Sequence, residues 1–138
     1  MPEKVRCKWC NLKNPLYVKY HDEEWCKPNF DDEYLYKMLI LESFQAGLSW
    51  ECVLNKREDF SKAYDNFDID KICKYNNKKI EQLLSNEKII RNKLKIKASI
   101  NNSKIFKNIQ EEFGTFYNYI KIFTKDKTFY EIDKKTSK

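Results

Sequence analysis

A carboxylate, an amide and several flat rings crowd into the first fifty residues of this 138-residue chain. Glu42 is followed by Gln45 and Trp50, and Tyr20, His21 and Trp25 lie upstream. These are the groups needed to bind a planar heterocycle, because rings stack on its faces while polar atoms read its edge. Stacking a base on an aromatic side chain is worth about 1–3 kcal/mol. The competing explanation is structural. Tryptophans are large core residues, and Glu42 is then a partly buried carboxylate satisfied by a backbone amide or by a basic residue such as Arg57.

The setting of Glu42 favours chemistry. Residues 38–50 contain one charge, Glu42 itself, in a chain that is 35% Asp, Glu, Lys and Arg. Leu35, Met38, Leu39 and Glu42 recur at i, i+3, i+4, i+7, so the glutamate takes the next place on the apolar stripe of a helix. A carboxylate there is desolvated unless it has an arranged partner, and such groups concentrate at functional sites.

His21 is the only histidine, so any histidine-dependent metal centre or Cys–His catalysis runs through it. Cys7, Cys10, His21 and Cys26 offer four soft or borderline ligands suited to zinc, although their spacing only loosely matches known zinc modules. A reactive-thiol role for Cys7 and Cys10 beside Arg6 and Lys8 lacks the strand and helix context of redox motifs. Five cysteines are an odd number for a disulfide framework. Cys52 and Cys73 sit among apolar helical residues as small buried hydrophobes. With two glycines there is no phosphate-cradling loop, and no Gly-x-Ser-x-Gly element occurs.

The elements that position these residues are helices. Two glycines and three prolines are too few for a hairpin-rich sheet, so an all-α fold is expected, in one domain over residues 1–138. Residues 1–30 hold all three prolines and lack a clean period, which predicts an irregular, aromatic-rich arm. Asp31 or Asp32 caps a helix over residues 33–46, ended by Gly47. Ser49 caps the next, over residues 50–66. Asp68 or Asp70 starts a short helix and Asn77 another, reaching Leu84. A longer helix runs from after Asn92 to about Glu111, with Leu94, Ala98, Ile105 and Ile109 on one side, and a last apolar helix covers residues 113–123. The polar tail over residues 125–138 follows. No apolar run reaches membrane-spanning length and the N-terminus is not a signal peptide, so a cytoplasmic protein is expected.

Charge is divided unevenly. Residues 1–70 carry net −4 and residues 71–138 net +10. Lys93, Lys97, Lys104 and Lys107 project within about 80° of one another on a helix, with Ile100 in the same arc. Such a face suits the phosphates of nucleic acid. Lysine-rich composition on a merely solvated face explains it equally well.

Several runs of residues resemble a known family. Arg6-Cys7-Lys8-Trp9, Asn14-Pro15-Leu16-Tyr17 and Tyr20-His21-Asp22-Glu23-Glu24-Trp25 resemble the opening of DNA-3-methyladenine glycosylase I. Leu41-Glu42-Ser43-Phe44-Gln45-Ala46-Gly47-Leu48-Ser49-Trp50, continued by Val53-Leu54-Asn55-Lys56-Arg57-Glu58, resembles its central signature. Ile89-Ile90-Arg91-Asn92 with Lys95-Ile96 resembles its next landmark. The resemblance implies a helical fold of the helix-hairpin-helix glycosylase superfamily and hydrolysis of the N-glycosidic bond of 3-methyladenine in alkylated double-stranded DNA. It implies that Glu42 and Tyr20 hydrogen-bond the base, that Trp50 stacks on it, and that Trp9 and Trp25 shape the pocket. Cys7 and His21 become two of four structural zinc ligands. Family members continue beyond the position of Lys138 with a DNA-gripping hairpin and the other two ligands, so the chain is expected to be truncated relative to them. A monomer acting on DNA and releasing free 3-methyladenine is expected. The alternatives are a non-catalytic base- or DNA-binding remnant and a zinc-stabilised structural domain.

Overall fold

Eight helices and one short turn are present in the computed structural model, which describes residues 4–124. They are α1 (Pro15–Glu23), α2 (Asp32–Phe44), α3 (Trp50–Asn55), α4 (Arg57–Ala63), α5 (Ile69–Ile72), α6 (Asn77–Leu84), α7 (Lys93–Phe113) and α8 (Phe116–Thr124), with a 3-10 turn at Asp65–Phe67. No strand occurs among the described residues, so the all-α expectation holds. The polar tail lies outside the described residues.

Local chemistry sets most boundaries. Ser49 accepts from the Cys52 amide, Asp68 from Asp70 and Lys71, and Asn92 from Lys95, each satisfying helix N-H groups that have no partner within their own helix. Gly47 and Gly114 sit at φ +80° and +86°, where a Cβ is penalised; Gly114 caps the end of α7, and Gly47 lies in the turn that follows α2.

Two expected elements differ. The N-terminal arm is not wholly irregular, because it contains α1. Asn14 accepts from the Leu16 amide and Pro15 stands at the first helical position, where its missing N-H is no loss. The expected helix over residues 50–66 is broken at Lys56 (φ −98°, ψ 0°), giving α3 and α4. Beyond α4, Asp65, Asn66 and Phe67 all take positive φ and end it in a tight turn.

Two apolar stripes also face differently from expectation. On α2 the core side is Tyr36, Ile40, Leu41 and Phe44, all but Tyr36 fully buried. Leu35, Leu39 and Glu42 line an open cavity instead. On α7 the core side is Ile96, Ser99, Ile100, Ser103 and Phe106, while Leu94 is 79% exposed and Ile105 48% exposed. The buried serines are fully bonded. Tyr64 Oη lies 3.0 Å from Ser99 Oγ and Tyr36 Oη 2.5 Å from Ser103 Oγ. The serine hydroxyls also reach the Ile96 and Ser99 carbonyls at 2.6 and 2.7 Å. Hydroxyls satisfied in this way can be buried at little cost.

Asp32, expected to cap α2, works elsewhere. Its carboxylate accepts from the Phe116 and Tyr117 amides at 2.8 and 3.2 Å and from Gln110 Nε2 at 2.8 Å. It thereby caps α8 and fastens α2 to α7 and α8.

Candidate base-binding site

The end of α1, the segment that follows it, one side of α2 and Phe116 of α8 enclose a cavity of about 330 Å³. That volume accommodates a purine. Tyr20, Glu24 and Trp25 form one wall, and Leu35, Met38, Leu39 and Glu42 face them from α2. A larger hollow of about 770 Å³ lies under the 3-10 turn, but Asp31, Asp32, Asp65, Asp68 and Asp70 wall it. It holds none of the residues marked by sequence, and its acids repel phosphate.

Glu42 is exposed at the rim and its carboxylate makes no hydrogen bond or ion pair with any described residue. The burial expected for it is therefore not found: its stripe faces the cavity and not the core. Arg57, the partner considered for it, is taken. Its guanidinium binds Glu24 through Nη1–Oε1 and Nη2–Oε2 contacts of 2.8 Å each, and Tyr34 donates to the same carboxylate at 2.9 Å. Burial works against the Glu24 anion, but these donors outweigh it and hold its pKa below the usual glutamate value. One cavity carboxylate is thus neutralised by its partner and the other is left open.

Tyr20 is buried at the back. Burial first, then the negative charges of Glu42 and Glu24, raise its pKa, so it stays a neutral phenol able to donate. Trp50 packs against it at 5.5 Å between ring centroids. The Trp50 indole N-H is buried without a hydrogen-bond partner among the described groups. Trp25 lines the cavity and meets Trp9 edge-on at 5.2 Å. Trp9 supports from behind, 6.5 Å from Tyr20 and 5.3 Å from His21. Gln45 does not line the cavity. It ends α2, its amide donating to the Glu42 carbonyl at 3.1 Å.

Cys7 and His21 are neighbours, as a shared metal would need, since the Cys7 amide donates to His21 Nε2 at 3.3 Å. The other ring nitrogen, Nδ1, lies 3.0 Å from Asp22 Oδ1. Asp22 in turn receives a bidentate bond from Arg6, and the Arg6 and His21 hydrogen bonds hold its pKa well below the carboxylate range. Cys10 is buried with its thiol 3.7 Å from the Tyr17 carbonyl, and burial pushes its pKa up. Among the described residues no three His, Cys, Asp or Glu groups are placed to hold a metal ion. The described donors alone therefore do not fit the four-ligand zinc site that the resemblance implied.

Lys93, Lys97 and Lys104 are exposed along α7. Lys107 is not free, being ion-paired with Asp70. Ile100, placed in the same arc by periodicity, is buried. Two features had no signal in residue spacing: the Glu24–Arg57–Tyr34 cluster and Lys95, whose ammonium reaches the end of α2. Glu24, Arg57 and Lys95 lie within the motif strings that carried the resemblance and Tyr34 does not, and only three-dimensional proximity reveals their roles.

An open carboxylate, a neutral phenol and packed indoles thus meet at one side of a helical domain. Residues 9–138 match the family model described as methyladenine glycosylase. The chain belongs to that family. It is 37% identical over 123 residues to the DNA-3-methyladenine glycosylase of Haemophilus influenzae, covering 89% of this chain and 66% of that protein. A crystal structure of 3-methyladenine DNA glycosylase I superposes with a TM-score of 0.84 at 36% identity, over 89% of this chain and 67% of the other. A variant of such an enzyme in complex with 3-methyladenine superposes at 0.78 and 31% identity, over 80% and 60%. The chain spans about two thirds of the length of the relatives it matches.

Proposed function

We propose that this chain reads and excises 3-methyladenine from alkylated DNA, as a monofunctional glycosylase. The observation that carries the reading is the unpaired Glu42 carboxylate sharing one cavity with Tyr20 and Trp25. Adenine methylated at N3 within DNA is cationic and its glycosidic bond is already weak. The nucleotide swings out of the stack into the cavity, where the ring of Trp25 offers a stacking surface and Tyr20, backed by Trp50 outside the cavity lining, offers a hydrogen bond to the base edge. Glu42 attracts the positive ring. At 4 Å and an effective dielectric of 20 that attraction is about 4 kcal/mol before desolvation is counted. Normal adenine lacks the charge and forfeits it, so the cavity discriminates.

The same cationic state makes a strong general acid unnecessary. The C-N bond electrons leave with the base, which departs neutral. Water adds to the sugar carbon and its surplus proton passes to solvent. No lysine Schiff base forms.

Exposed lysines on α7 supply a salt-sensitive contact to the DNA backbone in this reading. The reading takes Cys7 and His21 as two of the four ligands of a structural zinc ion, and metal analysis of the purified protein tests it. No helix among the described residues is long and apolar enough to cross a membrane. The reading takes the chain as a cytoplasmic monomer, which sedimentation and fractionation test.

The exposure of Glu42 supports a second reading, base binding without turnover, because water at the rim weakens its field. Incubation with methylated DNA separates the two. Release of 3-methyladenine above the protein-free rate supports excision. Quenching of tryptophan fluorescence by the free base with no release supports the binding module. Neither, from folded protein, overturns both.

A further inference from the structure

Glu42 and Trp50 stand on either side of a short loop, and what holds that loop decides how Glu42 faces the cavity and how Trp50 backs Tyr20. Residues 46–49 are exposed, and the reversal at Gly47 (φ +80°) has open space around it. Inside the loop the Leu48 amide bonds the Gln45 carbonyl at 2.6 Å. Ser49 fixes only the α3 side. The single hydrogen-bonding tie from another element among the described residues comes from Lys95 in the first turn of α7. Its ammonium donates to the Phe44 carbonyl at 2.9 Å and the Ala46 carbonyl at 2.6 Å.

Charge points the same way. Glu42 lies in the last turn of α2, and that turn has no basic residue of its own. The unpaired carbonyls of a helix C-terminus carry negative potential, so a second negative charge there is unfavourable and a cation on those carbonyls relieves it. Lys95 is that cation, supplied from across the fold.

We propose that Lys95 is the positioning residue of the site: it clamps the loop that joins Glu42 to Trp50 and offsets the negative end of α2 beside the glutamate. The proposal rests on the base-reading role of the cavity, but the clamp itself is measurable without it. In Lys95→Met, amide hydrogen exchange over residues 45–49 accelerates about tenfold while α6 is unchanged, as expected for loss of a charge-assisted tie. Affinity for 3-methyladenine, read by tryptophan quenching, falls about tenfold with it. Lys95→Arg, which keeps charge and donors, restores most of both. Lys95→Gln gives the same comparison if the methionine variant does not fold.

Unaltered exchange over residues 45–49, or acceleration spread evenly over α6 and α7, overturns the clamp. Faster loop exchange with unchanged affinity in a chain that binds the base overturns the positioning role. If the unsubstituted chain neither binds nor excises the base, the base-reading role fails, and the exchange measurement alone decides the clamp.

Discussion

At the scale of single residues, the site works by leaving one carboxylate unpartnered and occupying the other. Arg57 is bound at both amino groups by Glu24, so it is not available to pair with Glu42. Glu42→Gln is expected to cut base release at least 10²-fold, the usual loss when an electrostatic stabiliser is removed. Its stability should stay within about 0.5 kcal/mol, because the side chain is exposed and unbonded. A release assay beside a denaturant titration reads both. Glu24 carries a pH dependence. Its pKa is depressed in the folded chain from an ordinary 4.5, so its contribution is complete above that pH and lost as pH falls through and below it. Glu24→Gln should flatten the acid limb of stability over that window, measured by melting temperature against pH. The candidacy of Glu42 was legible from its lone charge and spacing. Its exposure was not, because periodicity says which residues share a face and not whether that face meets core or cavity.

Among the elements, caps were legible and faces were not. Ser49 and Asp68 cap where the sequence put them, since capping depends on groups within a few residues, whereas α2 ends at Phe44, short of the expected stop at Gly47. The core side of α7 was hidden by Ser99 and Ser103, which read as polar but are fully buried beneath two tyrosine hydroxyls. Helix α1 was masked by Pro15 and by aromatics without amphipathic order, although Asn14-Pro15 is itself a start signal. Gly47→Ala tests the loop between α2 and α3. No heavy atom lies within 4 Å of the added Cβ, so the cost is backbone strain alone, about 1–2 kcal/mol. Asp32→Ala tests the junction with α8. It removes an acceptor shared by two amides and Gln110, with an expected loss of about 1–2 kcal/mol. Hydrogen exchange should then rise first in Phe116–Thr124.

For the molecule as a whole, the charge asymmetry read from the sequence survives in a narrower form. Lys93, Lys97 and Lys104 remain available on α7 while Lys107 is held by Asp70. If the three neutralise one phosphate each, the logarithm of DNA affinity should fall with that of salt at a slope of about −2.7. Lys97→Ala should reduce that slope by about 0.9, and Lys107→Ala should leave it nearly unchanged. A slope indifferent to Lys97 removes this face from DNA binding. Helix α2 carries a consequence of another kind. Its residues serve the core on one side, the base cavity on the other and the α8 junction at its start. A segment employed in three ways leaves little idle surface on which neutral change can accumulate. Evolutionary drift in this chain should therefore be slowest along Asp32–Phe44, and a saturation library selected for folding and base binding together should tolerate fewer substitutions there than in α6.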